Sequence, residues 1–330
     1  MKIGVLRSAR QVGVFGAALN SSWRQERLLI LCYHGISFED EHLWRPAYIS
    51  LPFFRERLEM LASGGYNVLA LDEALTRLAS GNLPPRSVAI TFDDGNYSFY
   101  ALAYPLLREF GFPVTVYLPT YYCLHQLPVF DVTFSYLLWK GRGQTVDLEN
   151  ETVVLSDQNV LALQHRIRKR VNEQGISAEE KDGMAVGLAK RLHFDYEDLR
   201  RRRLFHLMTP EETAEVSRHN VAIELHTHRH RTPRDRGLFE REIRDNREEI
   251  LAITGREPID FCYPSGDYVP EFFGWLRESG VKSATTCEEG FATSNSEWMR
   301  LPRLLDLPTL TPVEFEGWLT GVSVVLPTRK

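Results

Sequence analysis

Ser87-Val88-Ala89-Ile90-Thr91-Phe92-Asp93-Asp94-Gly95 is a short apolar run that ends on two adjacent carboxylates and a glycine. The run has no helical period and is rich in β-branched residues, so it predicts a buried strand. Two carboxylates at a strand end cannot both be buried cheaply, because each charge must be paired or bound to a metal. Their side chains diverge, so one can bind a metal while its neighbour faces a reacting water. Read alone, the pair suits better a polar turn in which one aspartate caps the next helix.

Working outward, similar apolar runs at 28–33, 114–118, 221–225, 259–263 and 281–285 are flanked by turn residues and predict further strands. Helical patterns fall between them. Phe239, Ile243, Asn246, Ile250 and Ile253 recur at spacings of four and three, which marks one helix face. Thr209-Pro210-Glu211-Glu212 reads as a helix start, and Pro270 opens another helix that Gly280 closes. Strand–helix alternation predicts an α/β fold with a mainly parallel sheet or barrel. Residues 126–203 break the alternation and read as a largely helical insertion, in which the four arginines at 200–203 form a solvated helix face. The expected organisation is an N-terminal extension over 1–27, one domain over 28–322 and a short tail over 323–330.

The 330 residues are 43% hydrophobic and 25% charged, an ordinary globular composition able to bury a sizeable core. A net charge of −5 argues against nucleic acid as a partner, since phosphate binding needs a concentrated basic surface. Cys32, Cys123, Cys262 and Cys287 are too few for a disulfide framework and contain no CxxC pair, so buried free thiols are expected. Lys2, Arg7 and Arg10 precede the apolar stretch from Val12 to Leu19, which loosely resembles a signal peptide. It contains two glycines and is far below the roughly 20 residues of a membrane span. A surface helix and a cytoplasmic location are favoured over export.

Glu224-Leu225-His226-Thr227-His228-Arg229-His230 follows another predicted strand. Imidazole is the commonest neutral metal ligand. His226 and His230 share one face if the segment turns helical, as two ligands of one ion require, whereas His228 joins them only if it stays extended. The plain alternatives are histidines that face solvent or that pack around Arg229. Phe261-Cys262-Tyr263-Pro264-Ser265-Gly266-Asp267 ends a third strand in a turn that can leave backbone N–H groups free.

These three segments, in this order and at strand ends, resemble the motifs of the polysaccharide deacetylases of carbohydrate esterase family four. Thr91-Phe92-Asp93-Asp94-Gly95 and His226-Thr227-…-His230 match that family's first two motifs without substitution, and the third match is weaker. The resemblance implies an irregular (β/α) barrel of about seven strands, of NodB-homology type, with its site at the C-terminal strand ends. It implies Asp93 as general base, Asp94, His226 and His230 as ligands of one divalent metal ion, usually zinc, and the Ser265 N–H as oxyanion donor. Tyr263, Pro264 and Gly266 would line the substrate. The activity implied is removal of N-acetyl groups from an amino-sugar-containing glycan, either a polysaccharide or a lipid-linked intermediate met by peripheral membrane association.

The sequence departs from the family pattern in two places. No histidine follows His230 to supply the usual late general acid. His34, in Leu31-Cys32-Tyr33-His34-Gly35, resembles the Tyr-His opening of a branch whose motifs are permuted and is the candidate acid, with a core or capping histidine as the alternative. Cys262 stands where many members carry an arginine that tethers the base. Arg303, in Leu301-Pro302-Arg303, is the candidate replacement, and an ordinary surface arginine explains it equally well. Two other functions remain open: a metal amidohydrolase acting on a non-sugar amide, and a glycan-binding relic without turnover.

Overall fold

The computed structural model describes residues 2–149, 151–174 and 176–325. The expected tail over 323–330 lies largely outside them. The chain forms two compact units, one built from the residues up to Tyr121 together with those from Pro210 onward, the other from Tyr122–Thr209. The second unit carries the helices Phe130–Lys140, Val160–Glu173, Ala178–Arg191 and Tyr196–Arg201 and the antiparallel pair Thr145–Leu148 and Glu151–Val154. Arg200 and Arg201 are exposed there and pair with acidic residues of their own helix, whereas Arg203 corrects the expected solvated face, lying half-buried past the helix end and donating to the Leu207 carbonyl at 3.0 Å.

In the first unit, the strands run parallel in the order Ser283–Thr285, Asp260–Cys262, Val221–Leu225, Val114–Leu118, Ser87–Asp93, Leu29–Tyr33 and Leu304–Leu305. The short strand Asn67–Val68 pairs with the start of Ser87–Asp93. The path curls back on itself. Leu301, three residues before the last strand, bridges to Thr285 in parallel and exchanges backbone hydrogen bonds with Ala284 and Thr286. The result is an irregular barrel of seven strands, closed by a bridge where a full strand pair would otherwise stand.

Register explains how strands buried on both faces can look uniformly apolar in sequence and still build an interior that is apolar below and polar at its upper end. Side chains alternate between faces. The pairs Cys32↔Thr91, Thr91↔Thr115, Asp93↔Tyr117, Tyr117↔Glu224 and Cys262↔Thr285 define the inward set. Small or polar residues such as Ala89, Thr91, Thr115 and Thr285 fill the narrow interior and leave Asp93 at its upper end. The alternate residues Val88, Ile90 and Phe92 are fully buried on the opposite face. Helix Arg236–Thr254 presents Phe239, Ile243, Asn246 and Ile250 as buried positions, matching the spacing of the apolar face. Among the described residues no helix is long and apolar enough to cross a membrane.

The N-terminal segment is tied to the barrel. Helices Lys2–Gln11 and Val14–Leu19 bury Leu6 and Phe15 in a cluster with Val313. Arg24, fully buried, donates to the carbonyls of Leu319, Arg27 and Ser87 at 2.7, 2.7 and 3.1 Å. Replacing it removes three charge-assisted donors and leaves buried acceptors unsatisfied. Arg24→Met is therefore expected to lower unfolding stability by about 2–4 kcal/mol, read as a lower urea midpoint at unchanged slope. A midpoint equal to that of the parent would show that the segment contributes nothing to the barrel.

Candidate active site

The strand Ser87–Asp93 ends on the first aspartate, and the chain then turns sharply, with Asp94 at φ 72° and Gly95 at φ 64°. A non-glycine residue in the left-handed region is uncommon and marks a conformation imposed by its surroundings. The turn sends the two adjacent carboxylates to different partners.

Asp93 points into the barrel and is gripped by Arg303. Nη1 donates to Oδ1 and Nη2 to Oδ2, each at 2.7 Å, with both side chains buried. The guanidinium is itself fixed by the Thr286 carbonyl at 2.9 Å and the Thr91 hydroxyl at 3.1 Å. Burial alone would raise the Asp93 carboxyl, but the Arg303 charge and its hydrogen bonds outweigh it and hold the group well below the usual carboxylate range. Cys32 and Cys262 place their sulfurs 3.6 and 3.5 Å from Oδ2. The Arg303 Nη2 lies 3.1 Å from the Cys262 sulfur, so the small side chain at 262 leaves room for a guanidinium arriving from another strand. His34 sits at the end of Leu29–Tyr33 with Nε2 3.7 Å from Asp93 Oδ2. Burial lowers its imidazole below the ordinary value despite the nearby Asp93 and Asp94.

Asp94 faces the histidines. Its Oδ1 lies 3.4 Å from His226 Nε2 and 3.1 Å from His230 Nε2. Burial pushes its carboxyl up, but the adjoining imidazoles of His226 and His230 outweigh burial and hold it well below its ordinary value. The ligand atoms of these three residues lie within 4.8 Å of one another. The His226 Nδ1 is 2.8 Å from the Cys262 carbonyl, which can only accept, so the proton sits on Nδ1 and the Nε2 lone pair faces Asp94. One carboxylate and two imidazoles in this orientation fit a divalent metal of the zinc type.

The histidine segment corrects one expectation. Residues 226–230 are not helical, and His226 meets His230 through an irregular turn with Thr227 at φ 60° and His230 at φ 53°. The turn is stapled by the Thr227 hydroxyl, which accepts from Arg231 N–H at 3.0 Å. The buried Glu242 accepts from Arg229 N–H at 2.8 Å and from the Arg231 guanidinium at 2.7 Å. Asn246 accepts from His226 N–H at 2.8 Å and donates to the Leu118 carbonyl and the Thr120 hydroxyl. His228 is turned away, with Nδ1 2.8 Å from the Thr120 hydroxyl. Neither Asn246 nor Glu242 carries a recognisable motif in the sequence, and the one signal of their role is an asparagine within an apolar helix stripe.

The third segment forms a tight turn over Pro264–Gly266, with Ser265 at φ 59° and Gly266 at φ 67°. Gly266 N–H and Asp267 N–H are used within the turn, and Ser265 is exposed. Tyr263 corrects a second expectation. It is buried and its hydroxyl donates to the Met299 carbonyl at 2.9 Å, so its side chain braces the turn from beneath and cannot reach a substrate. Pro264 is likewise buried, and Cys287 is exposed, unlike the other three thiols.

The polysaccharide deacetylase family model matches residues 80–129 and 143–284, more than half of the chain. A poly-β-1,6-N-acetyl-D-glucosamine N-deacetylase of Staphylococcus aureus is 30% identical over 111 residues, 31% of this chain and 38% of that protein. The curated relatives are thus matched over little more than a third of their own length. Two solved structures share the fold. The Streptococcus pyogenes deacetylase PplD, in complex with acetate, superposes with a TM-score of 0.59 at 18% identity, covering 88% of this chain and 96% of that one. IcaB of Ammonifex degensii gives 0.56 at 18%, covering 89% and 97%.

Two measurements test the geometry. The purified protein should carry close to one divalent ion, and His226→Ala and His230→Ala should lose it; equal metal content in all three proteins would remove the ligand assignment. Arg303→Met leaves a buried carboxylate without its partner and should cost about 3–5 kcal/mol in unfolding stability. Adding Asp93→Asn to that variant removes the orphan charge and should recover part of the loss; a double variant no more stable than Arg303→Met would show that the pair is not coupled.

Proposed function

The chain belongs to the polysaccharide deacetylase family, and we propose that it is a metal-dependent hydrolase removing N-acetyl groups from an amino-sugar-containing glycan. The observation that carries this reading is the division of labour between neighbours: Asp93 is held by Arg303 in the barrel mouth, while Asp94 joins His226 and His230 in a metal-ligand group. The name of the Staphylococcus aureus relative supports a poly-N-acetylglucosamine as the substrate class.

The chemistry requires a water that is acidic enough to be deprotonated and an amide carbonyl that is electrophilic enough to be attacked. Asp94, His226 and His230 would hold a divalent ion, zinc by its donor set, which when bound would supply Lewis-acid chemistry, lowering the pKa of water from about 16 to about 7 and polarising the carbonyl. The remaining work falls to the protein's own groups. Asp93 accepts the proton of the attacking water. Arg303 fixes both carboxylate oxygens, so Asp93 cannot swing away, at the cost of weakening it as a base. The Ser265 N–H, presented by the left-handed turn, serves the oxyanion of the tetrahedral intermediate. His34, whose Nε2 lies 3.7 Å from Asp93 Oδ2, takes over the proton that Asp93 accepted from the water and delivers it to the departing amine.

A binding relic would have no need of a base anchored by two buried hydrogen bonds, which disfavours that alternative. The test is acetate release from N-acetylated oligosaccharides with and without added metal. Asp93→Asn should retain the metal and lose most of the release. His34→Gln should also retain it and slow turnover roughly 100- to 10,000-fold. Near-parental turnover in the His34 variant would return that residue to a structural role.

A further inference from the structure

A sulfur and an imidazole converge on the carboxylate oxygen of Asp93 that faces away from the Asp94 group. Asp93 Oδ2 has the Cys32 sulfur at 3.6 Å and His34 Nε2 at 3.7 Å, and the donor atoms of the three residues lie within 4.8 Å of one another. A tetrahedral zinc ion with sulfur, nitrogen and oxygen ligands holds those atoms about 3.3–3.6 Å apart. Both contacts of Oδ2 are within a few tenths of an ångström of that spacing, as are the 3.4 and 3.1 Å contacts of Asp94 with its two histidines.

Arg303 does not close this group. Its fork uses one lone-pair direction on each Asp93 oxygen, and a carboxylate offers about four in all. The guanidinium also engages the Cys262 sulfur at 3.1 Å, whereas the Cys32 thiol is directed to Asp93 Oδ2. A thiolate and a carboxylate together balance the charge of a divalent ion. The sulfur sets this group apart from Asp94, His226 and His230, because thiolate selects soft ions and rejects those that prefer oxygen.

The two groups differ in support, which fixes the order of filling. His226 Nδ1 is held by the Cys262 carbonyl at 2.8 Å, while His34 Nδ1 is buried and makes no hydrogen bond among the described residues. A ligand histidine without such a partner binds its ion about 10- to 100-fold more weakly. Cys32 must also give up its proton, and the Arg303 charge lies close by. The Asp94 group therefore fills first, and the Cys32 group fills only in excess metal.

We propose that Cys32, His34 and Asp93 form a second, inhibitory site for a thiophilic divalent ion, cadmium or excess zinc. On binding, the Cys32 S–H bond breaks and its proton leaves to solvent. The sulfur, His34 Nε2 and Asp93 Oδ2 each donate a lone pair to the ion. Base and acid of the proposed reaction are thereby withdrawn together while the first ion stays in place. The inhibitory effect rests on the deacetylase reading of Asp93 and His34; the binding stands on the geometry alone.

The test titrates cadmium into the metal-free parent, Cys32→Ser, Cys32→Ala, His34→Gln and Cys287→Ser, reading bound metal and the ultraviolet thiolate-to-cadmium absorption. The parent should take up a second ion with a thiolate band. Both Cys32 variants should lack the band and bind the second ion at least about 100-fold more weakly, more than the loss of an outer-shell partner costs, with the first ion unchanged. His34→Gln should weaken the second ion alone, and Cys287→Ser, which removes the exposed thiol, should keep the band. In acetate release, excess zinc should stop the parent but spare both Cys32 variants, each compared with itself at one equivalent, and excess magnesium should have no effect. A parent with no second ion, a second ion undiminished in both Cys32 variants, or a band lost only with Cys287 would overturn the site. A second ion that leaves acetate release unchanged would overturn its inhibitory role. If the parent releases no acetate at one equivalent, the deacetylase reading fails, and the titration still decides the site.

Discussion

A carboxylate buried in a barrel interior is tolerable only if something balances its charge, and here Arg303 does so. Its two parallel hydrogen bonds to Asp93 combine charge neutralisation with a fixed orientation, which a lysine could not supply. The surroundings follow from this pair. Thr286, Thr91 and the Cys262 sulfur take the three remaining guanidinium donors, and Cys262 is small enough to let the arginine pass. The bridge at Leu301 brings the last strand close enough to deliver Arg303. Breaking the pair would leave a bare charge in the interior, so the geometry of the site depends on this contact.

The second constraint is backbone strain. Asp94, Thr227, His230 and Ser265 all occupy the left-handed region, which costs a non-glycine residue on the order of 1–3 kcal/mol. Each bends the chain at a strand end so that a side chain or an N–H group faces the common space above the barrel. Helix Arg236–Thr254 sustains the histidine turn through Glu242 and Asn246, two buried polar residues on its inner side. The rigidity of the proposed metal ligands thus comes from a helix that contributes no ligand of its own.

The two aspartates show how neighbouring identical groups acquire separate roles. Asp93 is the last residue of an extended strand and inherits the inward direction of Thr91 and Ala89. Asp94 is the first residue after the bend and is released from that alternation. An anchored Asp93 is a weak base in itself, which makes it suited to a water already acidified by a metal and ill suited to one that is not. Base and ligand group are therefore interdependent in the proposed reaction, although each is held by a different part of the fold.

Six of the seven barrel strands, the strand-end positions of Asp93, Asp94, His226 and His230, and the mainly helical character of the interruption were legible in the sequence. These properties are carried by short-range pattern: apolar runs, turn residues and the spacing of ligating side chains. It also contained the inward alternation, since small and large residues alternate through Ser87–Asp93, although a strand buried on both faces masks that rhythm. Tertiary structure alone decided the rest. His226 and His230 meet through a strained turn because Thr227 and Glu242 hold it, and no local propensity favours that conformation over a helix. Tyr263 faces the core because Met299, distant in sequence, offers its hydroxyl an acceptor. Whether Arg303 lies on the surface or grips Asp93 depends on a register 210 residues apart in the chain, fixed only when the barrel closes. Long-range pairing of this kind leaves no periodic trace in the sequence, because its energy comes from two side chains meeting and not from either one alone.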